Sequence, residues 1–180
     1  MPTADVSVRV AWADDAEAIA EVQLRAWPVQ YAGVVPPEDL PSGPEAVAAA
    51  AEAWRASFAK PGDARNRVLV ALERNRVVGF AITGPAGDPD RDPIVDGELR
   101  ELTVEPEETR RGHGSRLLQA AADTLVADRF THAVTWVGAA DDVTRGFLTG
   151  AGWAADSAHR ELEAGPTARL KQVRLHTQLQ

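Results

Sequence analysis

Residues 109–118 read Thr-Arg-Arg-Gly-His-Gly-Ser-Arg-Leu-Leu. Glycines at 112 and 114 permit close backbone approach and positive φ, and Leu117-Leu118 open an apolar helical stripe. Consecutive N–H groups at such a helix start have no partner within the helix, so they form a nest for an anion. Ser115 adds a hydroxyl donor, and Arg110 and Arg111 add positive charge. The helix dipole alone contributes about 0.3–1 kcal/mol, and several charge-assisted hydrogen bonds would outweigh it. The chemistry suggested is phosphate binding. The pattern has no Gly-Lys-Ser/Thr of a P-loop and no Gly-x-Gly-x-x-Gly of a dinucleotide fold. His113 lies inside the same turn and reads as solvent-exposed rather than as a base.

A second chemistry is suggested just upstream, where Glu98 and Glu101 stand in Val-Asp-Gly-Glu-Leu-Arg-Glu-Leu-Thr-Val (95–104). Carboxylates of this kind can remove a proton from a nucleophile. They differ by three positions, so in a regular strand they face opposite ways. The apolar phase of this strand slips, because Leu99 is odd-numbered whereas Leu102 and Val104 are even. Either a β-bulge near 100–102 or a strand covered on both faces accounts for the slip.

Around these residues the chain alternates strands and helices. A strand over 6–12 is followed by an Asp14-x-x-Glu17 capping signature and a helical stripe of Ile19, Val22, Leu24 and Ala26. Prolines and glycine in 27–41 are expected to break that helix. A second helix is predicted over 44–59, then a hairpin turning at Arg74-Asn75, a turn-rich loop over 84–93 and the strand over 95–104. From Gly112 a helix carries Leu117, Leu118, Ala121, Ala122, Leu125 and Val126. A strand over 133–138, a short helix over 143–149 and strands over 157–163 and 168–179 complete the pattern. It predicts an α+β (mixed α/β) fold, a sheet with helices on its faces. Asp14, Asp39, Asp141 and Asp142 read as caps or turns rather than metal ligands. The five tryptophans (12, 27, 54, 136 and 153) read as core or pocket wall.

With 180 residues, the chain reads as one domain over 1–180. Cysteine is absent and there are four histidines, none paired at ligand spacing, so no metal site is expected. No secretory signal or membrane span is visible, and a reducing, cytoplasmic setting is expected. The net charge of −8 disfavours nucleic acid as a partner. An acidic field draws cationic amines or peptides, although the same charge also serves solubility.

The run Leu-Arg-Glu-Leu-Thr-Val-Glu-Pro-Glu-Glu-Thr-Arg-Arg-Gly-His-Gly-Ser-Arg-Leu-Leu (99–118) resembles the acyl-CoA-binding motif of the GNAT superfamily of N-acetyltransferases. Val104, Pro106, Gly112, Gly114, Leu117 and Leu118 match it, whereas Thr109 stands where the family has Arg or Gln. Residues 25–40 resemble the family's Trp-x-x-x-Tyr-x-Gly-x-x-Pro region. Asp141, Phe147, Gly152 and Trp153 keep the spacing of its Asn-x-x-Ala-x-x-Phe-Tyr segment, with Leu148 in the tyrosine position. The resemblance implies a mixed, mostly antiparallel sheet of about six or seven strands with about four helices on its faces. It favours the bulge, and it implies that β-strand residues Leu102, Thr103 and Val104 pair with pantetheine and supply an oxyanion donor. Thr109, Arg110, Arg111, Gly112, His113, Gly114 and Ser115 would hold the pyrophosphate, with Asp141 and Phe147 beside them. Glu98 or Glu101 would be the base, and Trp27 and Tyr31 would meet the acceptor.

The activity so implied is transfer of an acetyl group from acetyl-CoA to a primary amine, a small molecule or a peptide N-terminus, by direct attack in a ternary complex. A homodimer is one expected assembly. Leu148 and Thr109 leave open a non-catalytic acyl-CoA-binding regulatory module on the same fold, and a nucleotide-phosphate binder is a further reading.

Overall fold

The computed structural model describes residues 5–180. Along them run β1 (Val6–Val10), α1 (Ala16–Gln30), α2 (Pro44–Ala59), β2 (Arg67–Glu73), β3 (Arg76–Pro85), β4 (Asp96–Val104), α3 (His113–Ala127), β5 (His132–Gly138), α4 (Asp142–Gly150), β6 (Ala154–Ala164) and β7 (Ala168–Gln178). The strands form one seven-stranded sheet in the order β1-β2-β3-β4-β5-β7-β6. Every neighbouring pair is antiparallel except β4 and β5. This is the mixed, mostly antiparallel sheet with four helices that the family resemblance implies.

Alternating apolar residues in the strands feed two cores. On one face Ile19 and Val22 of α1 and Trp54 of α2 cover Val70, Leu72 and Phe80, with Trp54 edge-on to Phe80 at 5.4 Å. On the other, Leu117, Leu118, Ala121 and Leu125 of α3 pack on Leu69, Ala81 and Leu99, joined by Leu148 and Trp153. The β2–β3 hairpin turns on Arg74 and Asn75, at φ 51° and 64°, the left-handed pair that matches strand twist in a two-residue loop.

The bulge reading of β4 is correct. Ile82 of β3 pairs with Glu101 and Thr83 with Leu99, so Arg100 has no counterpart. The extra residue resets the pleat. Glu98, opposite Gly84, and Glu101, opposite Ile82, come to the same face, while Leu99, Leu102 and Val104 all turn toward α3. The Arg100 guanidinium ties the bulge down, donating to Asn66 Oδ1 (3.0 Å) and to the Pro85 carbonyl (2.9 Å).

β4 and β5 pair only over Asp96–Glu98 and His132–Val134. The next β4 carbonyl, that of Leu99, accepts instead from the Thr135 hydroxyl at 2.7 Å. From there the two strands part, while β5 stays paired to β7 along its whole length.

Three local expectations are corrected. α1 runs through Pro28 to Gln30; the ring removes one N–H, and the Tyr31 N–H still bonds to the Trp27 carbonyl at 2.9 Å, so the last turn closes past the proline. Asp14 does not cap α1: a 3-10 turn over Ala13–Asp15 makes Asp15 the N-cap residue, and its carboxylate makes no cap bond to the helix but reaches back to accept from the Trp12 N–H (2.6 Å) and from Arg9 (2.7 Å). Trp12 is 62% exposed rather than core or pocket wall, with the Arg9 guanidinium 3.7 Å above its ring.

The Thr135→Val substitution keeps the shape of a buried side chain but strands the Leu99 carbonyl. It is expected to cost about 1–3 kcal/mol, read as a lower denaturant midpoint, with Thr135→Ser largely restoring it.

Candidate active site

Where β4 and β5 part, a groove of about 1000 Å³ opens. Leu102 and Val104 of β4 form one wall, and Gly138 to Asp141 with Phe147 form the other. The start of α3 closes one end, and Val29 and Gln30 at the end of α1 lie along the rim. Leu102, Thr103 and Val104 have β3 on one side and no strand on the other, so their outward main-chain groups face the opening.

The turn before α3 has the backbone the glycines predict. Arg110 has φ 64° and Gly112, the N-cap residue, has φ 84°. The first helical bond is from Arg116 N–H to the Gly112 carbonyl, 3.0 Å, so the N–H groups of residues 113–115 carry the unmet donors of the helix start. Gly114 keeps the groove clear, since a Cβ there would lie 3.6 Å from Phe147 Cζ and 3.8 Å from Val104 Cγ2. Thr109, Arg110, Gly112, Gly114 and Ser115 all line the groove. Thr109 also closes the preceding turn by donating to the Pro106 carbonyl, 3.2 Å. Asp141 caps α4, accepting from the Thr144 N–H at 3.0 Å, and it stands at the groove beside Phe147. A narrow apolar slot ending in a main-chain anion nest suits a pantetheine arm and its pyrophosphate.

The two arginines of the motif separate. Arg110 faces the groove with no ion-pair or hydrogen-bond partner among the described residues. Arg111 is drawn away by Glu108 (2.9 Å) and Glu73 (3.7 Å). The expected solvent exposure of His113 is corrected: its ring is 2% exposed, beneath the turn. Its Nδ1 lies 3.0 Å from Arg116 Nη2 and its Nε2 3.8 Å from Glu73. A guanidinium can only donate, so Nδ1 accepts and the proton sits on Nε2. Burial and then Arg116 push its pKa down, and the ring stays neutral. Only its main-chain N–H belongs to the cradle. Glu73, Glu108 and His113 lie close enough to share a cation, but the protonated Nε2 offers it no lone pair, and Arg76 and Arg111 already engage Glu108.

Glu98 and Glu101 stand on the face opposite α3. Burial pushes both carboxyls above the usual range. The Thr103 hydroxyl donates to Glu101 (3.1 Å) and accepts from the Gln30 amide (3.1 Å), linking the end of α1 to β4. Tyr31 ionises less readily because of burial and the Glu101 charge, so the phenol stands within reach of that carboxylate's field. Glu98 accepts weakly from the Gly87 N–H (3.4 Å); after burial, Asp88 raises it, and Arg100 and Arg160 oppose that rise. Trp27 is half-buried on α1 and does not line the groove.

Sequence reasoning missed two charge assemblies. Arg25 of α1 grips Glu105 with its Nε at 3.0 Å and Nη2 at 2.7 Å, fixing the corner that leaves β4. Glu105 is 4% exposed, and its place between Val104 and Pro106 was the one available signal. The loop over 84–93, predicted only as turns, is tied down by Arg174 of β7, which pairs with Asp88 (3.0 Å), Asp90 (2.6 Å) and Asp156 of β6 (2.6 Å). Asp90, with Asp156 and Asp88, raises the basicity of Arg174, and the guanidinium in turn pulls Asp90 down to about 2. Trp136 also donates to Asp88, at 3.1 Å.

No curated protein sequence matches the chain significantly. Solved structures do match in fold. An N-acetyltransferase from Staphylococcus aureus Mu50 superposes with a TM-score of 0.74 at 16% identity, covering 98% of this chain and 99% of that one. The ribosomal-protein-alanine N-acetyltransferase from Brucella melitensis gives 0.71 at 18% identity, with 96% and 99% covered. The PaiA N-acetyltransferase from Thermoplasma acidophilum, in complex with coenzyme A, gives 0.70 at 16% identity, with 97% and 99% covered. Among the described residues no helix is long and apolar enough to cross a membrane. The sequence profile of the acetyltransferase (GNAT) family matches residues 17–153, and with most of its length inside that profile the chain belongs to the GNAT acetyltransferase family.

Proposed function

We propose that this chain transfers an acetyl group from acetyl-CoA to a primary amine by direct attack in a ternary complex. The observation that carries the reading is the two-sidedness of bulged β4. One face and the free edge border a slot that ends in an anion nest, and the other face presents two carboxyls raised by burial. Acetyl-CoA supplies an activated acyl carbonyl. Leu102 and Val104, with Phe147 opposite, would hold the pantetheine arm, and the N–H groups of residues 113–115 with Arg110 and Ser115 would hold the pyrophosphate.

A lysine-like amine is neutral in only about one molecule in 10³ at pH 7. Glu98 or Glu101, directly or through water, would take its proton, and a raised carboxyl is a better base than a free one. Holding both reactants on one strand supplies much of the remaining rate. Leu148, in the usual tyrosine position, is 3% exposed in the core, so no side chain there protonates the leaving thiolate; with a pKa near 8.5 it can depart with help from solvent. That same leucine is what favours the second reading, an acyl-CoA-binding module without catalysis, which predicts binding but no transfer to any amine.

Titration calorimetry with acetyl-CoA tests the cradle. Wild type is expected to bind, and Gly114→Leu, whose side chain would enter the slot between Phe147 and Val104, to bind at least about 10²-fold more weakly. No wild-type binding at millimolar ligand would sink the assignment.

The carboxylates are tested by pH–rate profiles. Activity should fall as pH drops through the raised carboxyl pKa, because the base becomes protonated. Glu98→Gln or Glu101→Gln should lower kcat/KM by about 10²–10⁴-fold and remove that acid limb. Wild-type profiles in both variants would exclude both residues.

Stability gives an independent sign. A carboxyl whose pKa is higher folded than unfolded binds protons more tightly when folded, so its ionisation costs stability as pH rises above the unfolded value. Glu101→Gln should therefore unfold at a higher denaturant midpoint than wild type at pH 7, with the difference shrinking toward pH 4.

A further inference from the structure

The sheet face that carries Glu98 and Glu101 continues past β4 onto β5, β7 and β6. Glu98 lies beside Val134, and Trp136 follows two residues along. Trp136 stands across from Arg174, and Gln172, on the same face of β7, stands across from Arg160 of β6. α1 and α2 cover this face over β2 and β3, whereas over β5 to β6 it is met by the 86–92 loop, through Asp88, Asp90 and Arg91.

The cations of this surface differ sharply in what they do. Arg174 is 5% exposed and surrounded by three aspartates. Arg91 pairs with Asp156 at 2.8 Å. Arg160 is different: its guanidinium carbon lies over Trp136, 4.2 Å from the ring centroid, and its Nε donates to Gln172 Oε1 at 2.7 Å. It has no carboxylate partner, and its two Nη atoms have no acceptor among the described residues. The ring contact and the Gln172 bond position a guanidinium whose forked end is unused. Such a fork suits a planar oxyanion, which it holds with two parallel hydrogen bonds. It stands close enough to Glu98 to lower that carboxyl. Strand spacing places the Glu98 and Trp136 α-carbons about 8 Å apart, with both side chains on the same face.

We propose that Arg160 binds a carboxylate of the acceptor, so that the acceptor is an amino acid or a close analogue, its amine toward Glu98 and Glu101 and its carboxylate on the guanidinium. The inference rests on the acetyltransferase reading and adds the substrate class to it. A zwitterion places one charge of each sign where the site has its opposite. A polyamine would set its second ammonium against a fixed cation, despite the chain's net charge of −8. In the reaction the amine nitrogen bonds to the acetyl carbon, the carbon–sulfur bond breaks, the nitrogen's proton passes to a Glu98 or Glu101 carboxylate, and the thiolate leaves with the electron pair. Arg160 takes no part in these steps and acts as a specificity residue.

The test is a matched panel under saturating acetyl-CoA: leucine against isoamylamine, phenylalanine against phenethylamine, with spermidine and an amidated peptide beside them. The amino acids should be the better acceptors by at least about 10-fold in kcat/KM. Arg160→Gln should raise KM for the amino acids by about 10–100-fold with kcat nearly unchanged, and leave the decarboxylated partners as they were. Calorimetric binding of leucine to the CoA-loaded protein should weaken in parallel, with the denaturant midpoint of the variant unchanged. Equal or better transfer to isoamylamine, phenethylamine or spermidine would overturn the proposal, as would an Arg160→Gln loss shared by both members of each pair. Transfer to amines without carboxylates would still uphold the acetyltransferase reading, whereas no transfer to any amine would overturn that reading and the proposal with it.

Discussion

A single unpaired residue in β4, Arg100, governs the rest of this structure. Were Arg100 paired as in a regular strand, Glu98 and Glu101 would face opposite sides of the sheet, and either Leu99 or the Leu102–Val104 pair would turn away from α3. With it unpaired, one strand presents carboxylates on one side and a continuous apolar wall on the other. Just beyond the last parallel pair, the hydroxyl of Thr135 satisfies the Leu99 carbonyl, so the sheet can open without leaving that buried acceptor bare. Bulge and opening are two parts of one device, since the first sets which side chains face the gap and the second creates it.

The charge pattern follows a similar economy. Where loops must be held, guanidiniums and carboxylates neutralise one another in close contact: Arg25 with Glu105, and Arg174 with three aspartates. Around the proposed site, ions are left unmatched. Among the described residues Arg110 at the slot and Arg160 on its indole have no carboxylate partner, and Glu98 and Glu101 are desolvated without an ion-pair partner. An unmatched ion in a partly dry place is costly for folding, and in this chain these ions gather around β4 and the surfaces beside it.

Much of this architecture was legible in the residues. The phase slip between Leu99 and Leu102 left a bulge or a strand covered on both faces, the resemblance to the acyl-CoA motif favoured the bulge, and Arg74-Asn75 between two apolar runs marked the hairpin. The glycines at 112 and 114 announced the turn. Pro28 misled, since its composition signal does not reveal that only one helical turn remains. His113 misled because its ring turns inward beside Arg116 and toward Glu73, forty residues earlier in the chain at the end of β2. The loop over 84–93 is all turn residues by local pattern, and its anchor, Arg174, lies on the last strand. Long-range ion pairs leave no periodicity, so Arg160 and Trp136 were invisible as a pair until β5, β7 and β6 were placed side by side.

The anion nest at the start of α3 is built from main-chain N–H groups, with glycine rather than a functional side chain at its two defining positions. Side-chain truncation therefore has almost nothing to remove there. An alanine scan of this turn would truncate Arg110 and Ser115 and pass over the main-chain donors proposed above to hold the pyrophosphate, because alanine keeps the amide it replaces. Amide-to-ester exchange by chemical synthesis would delete those donors one at a time, and random mutagenesis would register the same positions only as intolerance of bulk. In this turn the sequence constrains shape, and the recognition chemistry belongs to the polymer itself.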